Sequence, residues 1–538
     1  MNPRKPYNPR RKVPGLQRPG RAPEGKTPWP PLWVALPLLA VIGLAVWRAE
    51  LRLKSENAVP TPTPEVFPVP SAASSAMATA RLPSAEPTTI FFPTAAPSPT
   101  AITRARPAPT QFYETQPGDT LSALAARFGV NPADIIAPQG LQGSTTLIEG
   151  QRLVIPRALD EVGPGDKIIP DSEFVHSASA TGFDPRQFAQ EQGGYLASYK
   201  GFADEATRWG GDLVLLAARN HSINPRLLLA LLEYQSGWVT NPRPQGEALL
   251  YPFGYAHSFQ DMLYSELAWA TRQLAIGYYG WRAGRLTGLR FPDGATLRLD
   301  PTLNAGTVAV HYFFAQLLNR PAWDAAVSEN GLALTYRALF GDPFAHVVHP
   351  LIPGDLTQPP LTLPFIRGHR WYFTGGPHGA WENGGALAAL DFAPSSLEGG
   401  CAASAEWVTA VAAGQIVRAD HGSVLLDLDG DGRETTGWAI LYLHIADEDR
   451  IEPGAFVETG DLLGHPSCRG GQATGTHVHI ARQYNGEWIL ADSVIPFSLS
   501  GWIAHQGEAE YLGSLTRGDQ TVEACPCSAA DTAITADP

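Results

Sequence analysis

The segment Gly475-Thr476-His477-Val478-His479-Ile480-Ala481-Arg482-Gln483-Tyr484 decides how the C-terminal third of this 538-residue chain folds. Its β-branched and aromatic residues predict a strand. On a strand, residues two apart face the same way, about 6.6 Å apart. His477 and His479 therefore share a face. Three neighbouring runs read the same way: WVTAVAAGQIVRAD from Trp407, SVLLDLD from Ser423 and WAILYLHIA from Trp438. Gly and Asp turns separate them. Residues 355–515 are thus expected to form a mainly β module built on an antiparallel sheet.

Two further patterns supply metal-binding chemistry to that module. Thr374-Gly-Gly-Pro-His378-Gly-Ala-Trp381 is followed by Leu390-Asp391-Phe392, and Leu441-Tyr-Leu ends in His444. Zinc accepts imidazole nitrogen and carboxylate oxygen, and a catalytic zinc keeps its fourth position for water. Two His and one Asp leave the ion a net positive charge, enough to act as a Lewis acid and to acidify bound water. One member of a His-x-His pair can hold the ion while the other faces the substrate.

These residues resemble the LytM/lysostaphin/β-lytic type of metallopeptidase, the M23 family. The thirteen-residue gap from His378 to Asp391 is similar to the β-lytic branch. The resemblance implies Zn2+ held by His378, Asp391 and His479. It implies that His444 and His477 are catalytic, hydrogen-bonding the attacking water and the tetrahedral intermediate. His369 is a rival first ligand but lacks the Gly-Gly-Pro context. His421, His465 and His505 read as loop or strand residues without a role. Asp427-Leu-Asp429-Gly-Asp431-Gly432 opens like a calcium loop, yet a full loop needs Glu where Trp438 stands, so a polar hairpin turn is expected. Cys401, Cys468, Cys525 and Cys527 suit an oxidising compartment. A Cys401–Cys468 bridge would brace the loop before His477, but four cysteines allow three full pairings.

Working toward the N-terminus, residues 170–350 carry apolar positions at helical spacing and read as a mainly α region. Asn224-Pro-Arg-Leu-Leu-Leu-Ala-Leu-Leu-Glu233-Tyr-Gln235-Ser236 partly resembles the catalytic helix of lysozyme-like transglycosylases. Gln235 stands where that family has Glu, and an amide cannot protonate a glycosidic oxygen. A non-catalytic role in wall binding or spacing is expected. Residues 112–158 run from YETQPGDTL to GQRLVIP. Thr120 is placed to cap one helix and Pro132 to open a second, with a closing strand at Leu153–Ile155. This β-α-α-β order resembles a LysM domain, a small α+β fold, which implies binding to N-acetylglucosamine-containing glycans such as peptidoglycan.

Residues 56–111 are rich in Pro, Thr, Ser and Ala and read as an extended linker. Trp29–Trp47 carries no charge over nineteen residues, a bilayer-spanning length. Eight Lys/Arg precede it in a basic tail, 1–28, and three follow within the next seven residues. That bias places the tail in the cytoplasm and the bulk outside, as a single-pass cell-membrane protein. A cleaved signal peptide is the rival, but no small-x-small site directly follows the apolar run. Beyond residue 54 the chain holds 28 basic against 50 acidic residues, which argues against nucleic acid as a partner. Residues 516–538 are expected to be a C-terminal tail.

The sequence therefore predicts a multidomain, membrane-anchored zinc endopeptidase that hydrolyses peptides of peptidoglycan and is targeted by its LysM module. The alternatives are a non-catalytic peptidoglycan-binding scaffold or activator, and a bifunctional hydrolase with glycan cleavage in 170–350.

Overall fold

The computed structural model describes residues 109–143, 145–256, 263–395 and 400–537. The tail at 1–28, the apolar span at 29–47 and nearly all of the linker at 56–111 lie outside these residues. Among the described residues no helix is long and apolar enough to cross a membrane.

The first module pairs β1 (Thr110–Glu114) antiparallel with β2 (Arg152–Pro156), with α1 (Leu121–Phe128) between them. The hydroxyl oxygen of Thr120 accepts from the Ala123 N–H at 3.2 Å, and Gly129 ends the helix in the left-handed conformation. The expected second helix is only a single 3-10 turn, Pro132–Asp134. Pro138 pushes the residue before it toward extended backbone, and Ile136 bridges to Val154 instead. This module is docked, not strung. The Gln116 amide donates to the Thr302 carbonyl at 3.0 Å, and Thr145 Oγ1 donates to the Leu356 carbonyl at 2.9 Å. Arg127 pairs with Asp119 at 2.7 Å, with both side chains buried, and donates to the Trp281 carbonyl. Arg282 stands where three regions meet. It donates to the Pro117 carbonyl, pairs with Asp171 at 3.0 Å and with Glu487 at 2.9 Å.

The middle region contains α2 (Pro185–Gln192), α3 (Gly210–His221), α4 (Pro225–Ser236), α5 (Leu263–Arg282), α6 (Ala305–Ala315) and α7 (Leu332–Phe340). It also holds a hairpin that the helical periodicity did not announce, β3 (Lys200–Ala203) with β4 (Ala206–Trp209). The Glu233 carboxylate accepts from the Val239 and Thr240 N–H groups at 3.0 Å each and from the Thr240 hydroxyl, closing the turn after α4. The Gln235 amide donates to the Phe253 carbonyl at 3.0 Å. Both polar groups are used to fix backbone.

The last region is a nine-stranded antiparallel sheet among the described residues. Its main strands are β5 (Arg370–Gly379), β6 (Leu387–Pro394), β7 (Gly414–Asp420), β8 (Ser423–Asp427), β9 (Trp438–Leu443), β10 (Phe456–Val457), β11 (Val478–Tyr484) and, from the far end of the chain, β15 (Ala533–Thr535). They lie in the order β10-β7-β8-β9-β11-β6-β5-β15, and a short strand at Glu487–Trp488 pairs with β11. β12 (Trp502–Gln506), β13 (Gly513–Arg517) and β14 (Gln520–Glu523) form a second small sheet with Ser498–Leu499. The boundary expected at 515 thus separates nothing: β13, β14 and β15 fold into the body, and the expected tail is part of it.

Alternation along the strands gives the large sheet two buried faces. Leu390, Phe392, Val424, Leu426, Ile440, Tyr442, Val478 and Ile480 pack on one side with Trp371, Phe497 and Leu515. Leu425, Ala439, Leu441 and Ala481 point the other way, into one core shared with the helices. Tyr278 donates to Glu487 at 2.9 Å, the Trp488 N–H donates to the Tyr279 hydroxyl at 3.0 Å, and Arg418 donates to Asn220 at 3.1 Å. The helices are therefore the second layer of the sheet, where the sequence suggested a separate spacing or wall-binding domain.

Candidate metal centre

Three strands deliver the site. β6 and β11 run antiparallel with Asp391 directly opposite His479, and β5 lies on the other side of β6 with His378 opposite Ala389. His479 and Asp391 share the face covered further along by the helices. The two glycines before His378 are demanded by packing. A Cβ on Gly375 would lie 2.5 Å from the Asp391 carboxylate, and one on Gly376 would lie 2.6 Å from the Leu512 backbone.

His378, Asp391 and His479 converge as expected, and all three are buried. His378 Nδ1 donates to the Gly376 carbonyl at 2.8 Å, so its Nε2 carries a lone pair in the neutral ring. His479 Nε2 donates to the Ala380 carbonyl at 2.9 Å, so its Nδ1 carries one too. These two nitrogens face each other at 3.0 Å. Asp391 Oδ1 stands 3.3 Å from each and makes no hydrogen bond although buried. Three electron pairs aimed at one point repel unless a cation sits among them. A tetrahedral ion with bonds of about 2.0–2.1 Å places its ligand atoms roughly 3.3 Å apart, which these spacings match. The carbonyls of Gly376 and Ala380 fix both tautomers, as outer partners of metal-binding imidazoles commonly do.

Burial disfavours charge on His378, but the Asp391 carboxylate outweighs it and raises the imidazole above its ordinary value. Burial also opposes ionisation of Asp391, yet His378 and His477 hold its carboxyl well below the usual range.

His477 and His444 lie beside the triad. The His477 ring donates from Nδ1 to the Gly475 carbonyl at 2.7 Å, turning Nε2 toward Asp391 Oδ1 at 3.7 Å. The His444 ring donates from Nδ1 to the Arg469 carbonyl at 3.0 Å. The two rings are 4.4 Å apart, and His444 has φ +66°. Burial, then His477 and His479, push His444 down to about 3, so it is neutral at physiological pH. The Cys401–Cys468 disulfide is present, and the Thr476 N–H donates to the Gly400 carbonyl at 2.9 Å, tying the loop before His477. The other pair is Cys525–Cys527.

The rival His369 is exposed and pairs with Glu406 at 2.8 Å, away from this cluster. Sequence reading missed Tyr511. Its ring stacks on His378 at 4.1 Å, its hydroxyl donates to Asn383 at 2.6 Å, and it sits at φ +67°. It lies 133 residues from His378 with no motif around it, so only the fold could find it.

The model of the LysM domain matches residues 113–156, and that of the LasA N-terminal domain matches 167–352. Protease LasA of Pseudomonas aeruginosa (strain UCBPP-PA14) is 26% identical over 339 residues, 59% of this chain and 74% of the relative. Beta-lytic metalloendopeptidase of Lysobacter enzymogenes is 30% identical over 136 residues, 24% of this chain and 71% of its own length. The chain belongs to the M23 metallopeptidases. Among solved structures, the M23 metalloprotease pseudoalterin from the deep sea is 26% identical, covering 31% of this chain and 95% of that one, with a TM-score of 0.27. The helical region of this M23 protein is similar to the LasA N-terminal domain.

Proposed function

We propose that this protein is a zinc metalloendopeptidase that hydrolyses peptide bonds of peptidoglycan, anchored to the cell membrane by residues 29–47 with its bulk outside. One observation carries the reading. Three buried lone pairs converge at 3.0–3.3 Å, and two further imidazoles stand beside them with their Nδ1 protons already given to carbonyls.

His378, Asp391 and His479 would hold the ion, which when bound polarises a carbonyl and acidifies water. The Gly475 and Arg469 carbonyls accept from Nδ1 of His477 and of His444, so in the neutral tautomer Nε2 of each ring carries the lone pair. His477 is placed to take a proton from water and later hold it for the leaving amine, and His444, kept neutral, is placed to accept a hydrogen bond from the attacking water. The donor set fits zinc better than magnesium or calcium, which prefer all-oxygen shells. The LysM match and the beta-lytic relatives support peptidoglycan as the substrate, and no basic surface is needed to hold it.

The test uses the purified full chain in detergent. Metal content and release of peptide fragments from isolated peptidoglycan are measured for the wild type and for Asp391→Ala. About one zinc per chain and release that the variant lacks are expected. Zinc without release would favour the scaffold reading, and neither would sink both the metal and the enzyme. Cleavage of the ectodomain by protease added to spheroplasts tests the orientation; full protection would overturn it.

A further inference from the structure

We propose that the hairpin β3–β4 of the helical region is a positioning element of the peptidase centre, acting through Glu205 and Arg469 on the imidazole of His444. This deepens the peptidase reading and rests on it.

The tip of the hairpin, Asp204-Glu205, reaches two turns of the sheet region. Glu205 receives the Arg469 guanidinium in a two-point pair, 2.5 and 2.9 Å, and Asp447 takes the same guanidinium at 2.8 Å. Asp204 pairs with the His421 ring at 3.1 Å, and Arg208 reaches its other nitrogen at 2.9 Å. Asp204 and Glu205 themselves sit at φ +53° and +58° at the tip of the hairpin.

These two turns pack against each other without room for side chains. A Cβ on Gly422 would lie 2.5 Å from the Arg469 carbonyl, and one on Gly470 would lie 2.4 Å from the His421 carbonyl. Both turns then hold His444. The Arg469 carbonyl accepts from its Nδ1 at 3.0 Å, and the Gly422 carbonyl accepts from the N–H of Ile445 at 2.9 Å. His444 occupies left-handed backbone, φ +66°, which a β-substituted residue keeps only when its neighbours impose it. The hairpin supplies the outer end of that constraint. Glu205 and Arg469 are well exposed, and single exposed ion pairs add little to stability. Here the geometry is bidentate and shared with Asp447, so the pair's effect is on where the Arg469 carbonyl points, not on whether the chain folds. Arg469 and Glu205 are positioning residues; neither touches the metal ligands.

The experiment compares Glu205→Gln, Arg469→Ala and Arg469→Lys with wild type in the full chain. It measures kcat and KM on a soluble peptidoglycan peptide, zinc content, and 15N spectra of histidine-labelled protein. The expected result is a kcat loss of roughly tenfold or more in Glu205→Gln and Arg469→Ala, the range carried by outer partners of such sites. KM should stay within about twofold, zinc should stay at the wild-type level, and Arg469→Lys should recover part of the loss. One protected Nδ1–H imidazole resonance in the wild type should broaden in both charge-removing variants. Unchanged kcat and an unchanged imidazole spectrum would overturn the proposal, as would a loss explained by missing zinc. The spectrum reports on His444 even if the wild type shows no turnover, so a failure of the peptidase reading and a failure of this one are told apart.

Discussion

Two clusters of three ligand-type residues stand on the same sheet among the described residues, and they differ in every respect that matters for a cation. In the His378–Asp391–His479 cluster the outer nitrogens are satisfied by carbonyls and the inner atoms by nothing. In the Asp427–Asp429–Asp431 cluster each carboxylate accepts from backbone N–H groups of its own turn. Asp427 accepts from the Asp429 N–H at 3.2 Å and the Gly432 N–H at 2.9 Å. Asp429 accepts from the Asp431 N–H at 3.2 Å, and Asp431 from the Arg433 N–H at 2.9 Å. The carboxylates respond oppositely. Asp391, among imidazoles, is held ionised, whereas burial and neighbouring Asp429 push Asp427 up to about 6. Spacing of acidic residues suggests a cation; unspent lone pairs indicate one. The second cluster is a hairpin turn.

The largest effect that would break this contrast is at Asp391. Asp391→Ala should drop bound zinc well below one per chain by metal analysis and abolish peptide release, while Asp431→Ala should leave both unchanged. His477→Ala should keep the zinc yet lower kcat by roughly 10²–10⁴-fold, the share of a general acid–base group. Loss of zinc in that variant would make His477 a ligand. Leu441→Ala removes a fully buried side chain from the core joining sheet and helices, and should cost about 2–5 kcal/mol in denaturant unfolding. Separate melting of the two regions in that variant would show that the core is not shared.

The pH test on Asp427 is smaller. Its folded value is raised, so its contribution is fully present below the unfolded value and is lost as pH rises through about 6. The stability of the wild type relative to Asp427→Asn should therefore fall between about pH 4 and pH 7, by on the order of 1 kcal/mol given screening near the surface. A rising difference would contradict the turn assignment. Smallest of all, Asp429→Asn should change neither stability by more than about 0.5 kcal/mol nor the response to added calcium.

The site was legible where its chemistry is local. His477 and His479 declare themselves by a two-residue strand period, and His378 by its glycines. Tyr511, Arg469 and Glu205 carry no such period; each matters only because the chain returns from more than a hundred residues away. The second helix of the LysM module was misjudged because Pro132 signals a start while Pro138, six residues on, forbids the length. The end of the chain looked like a tail because β15 is three residues long, too short for a pattern. The helical layer was legible as helices but not as a cover: nothing in the spacing of Leu425, Leu441 and Ala481 says what they pack against.

The way the LysM module is held has a consequence for how the protein would work on a wall. Gln116, Arg127 and the Pro117 carbonyl tie it to the helical layer, and Arg282 continues that tie to Glu487 of the sheet region. If the proposed function holds, the step between a glycan gripped at one end and a peptide cut at the other would be a length written into the fold. On that reading the described part of the molecule would act as a caliper set to one opening.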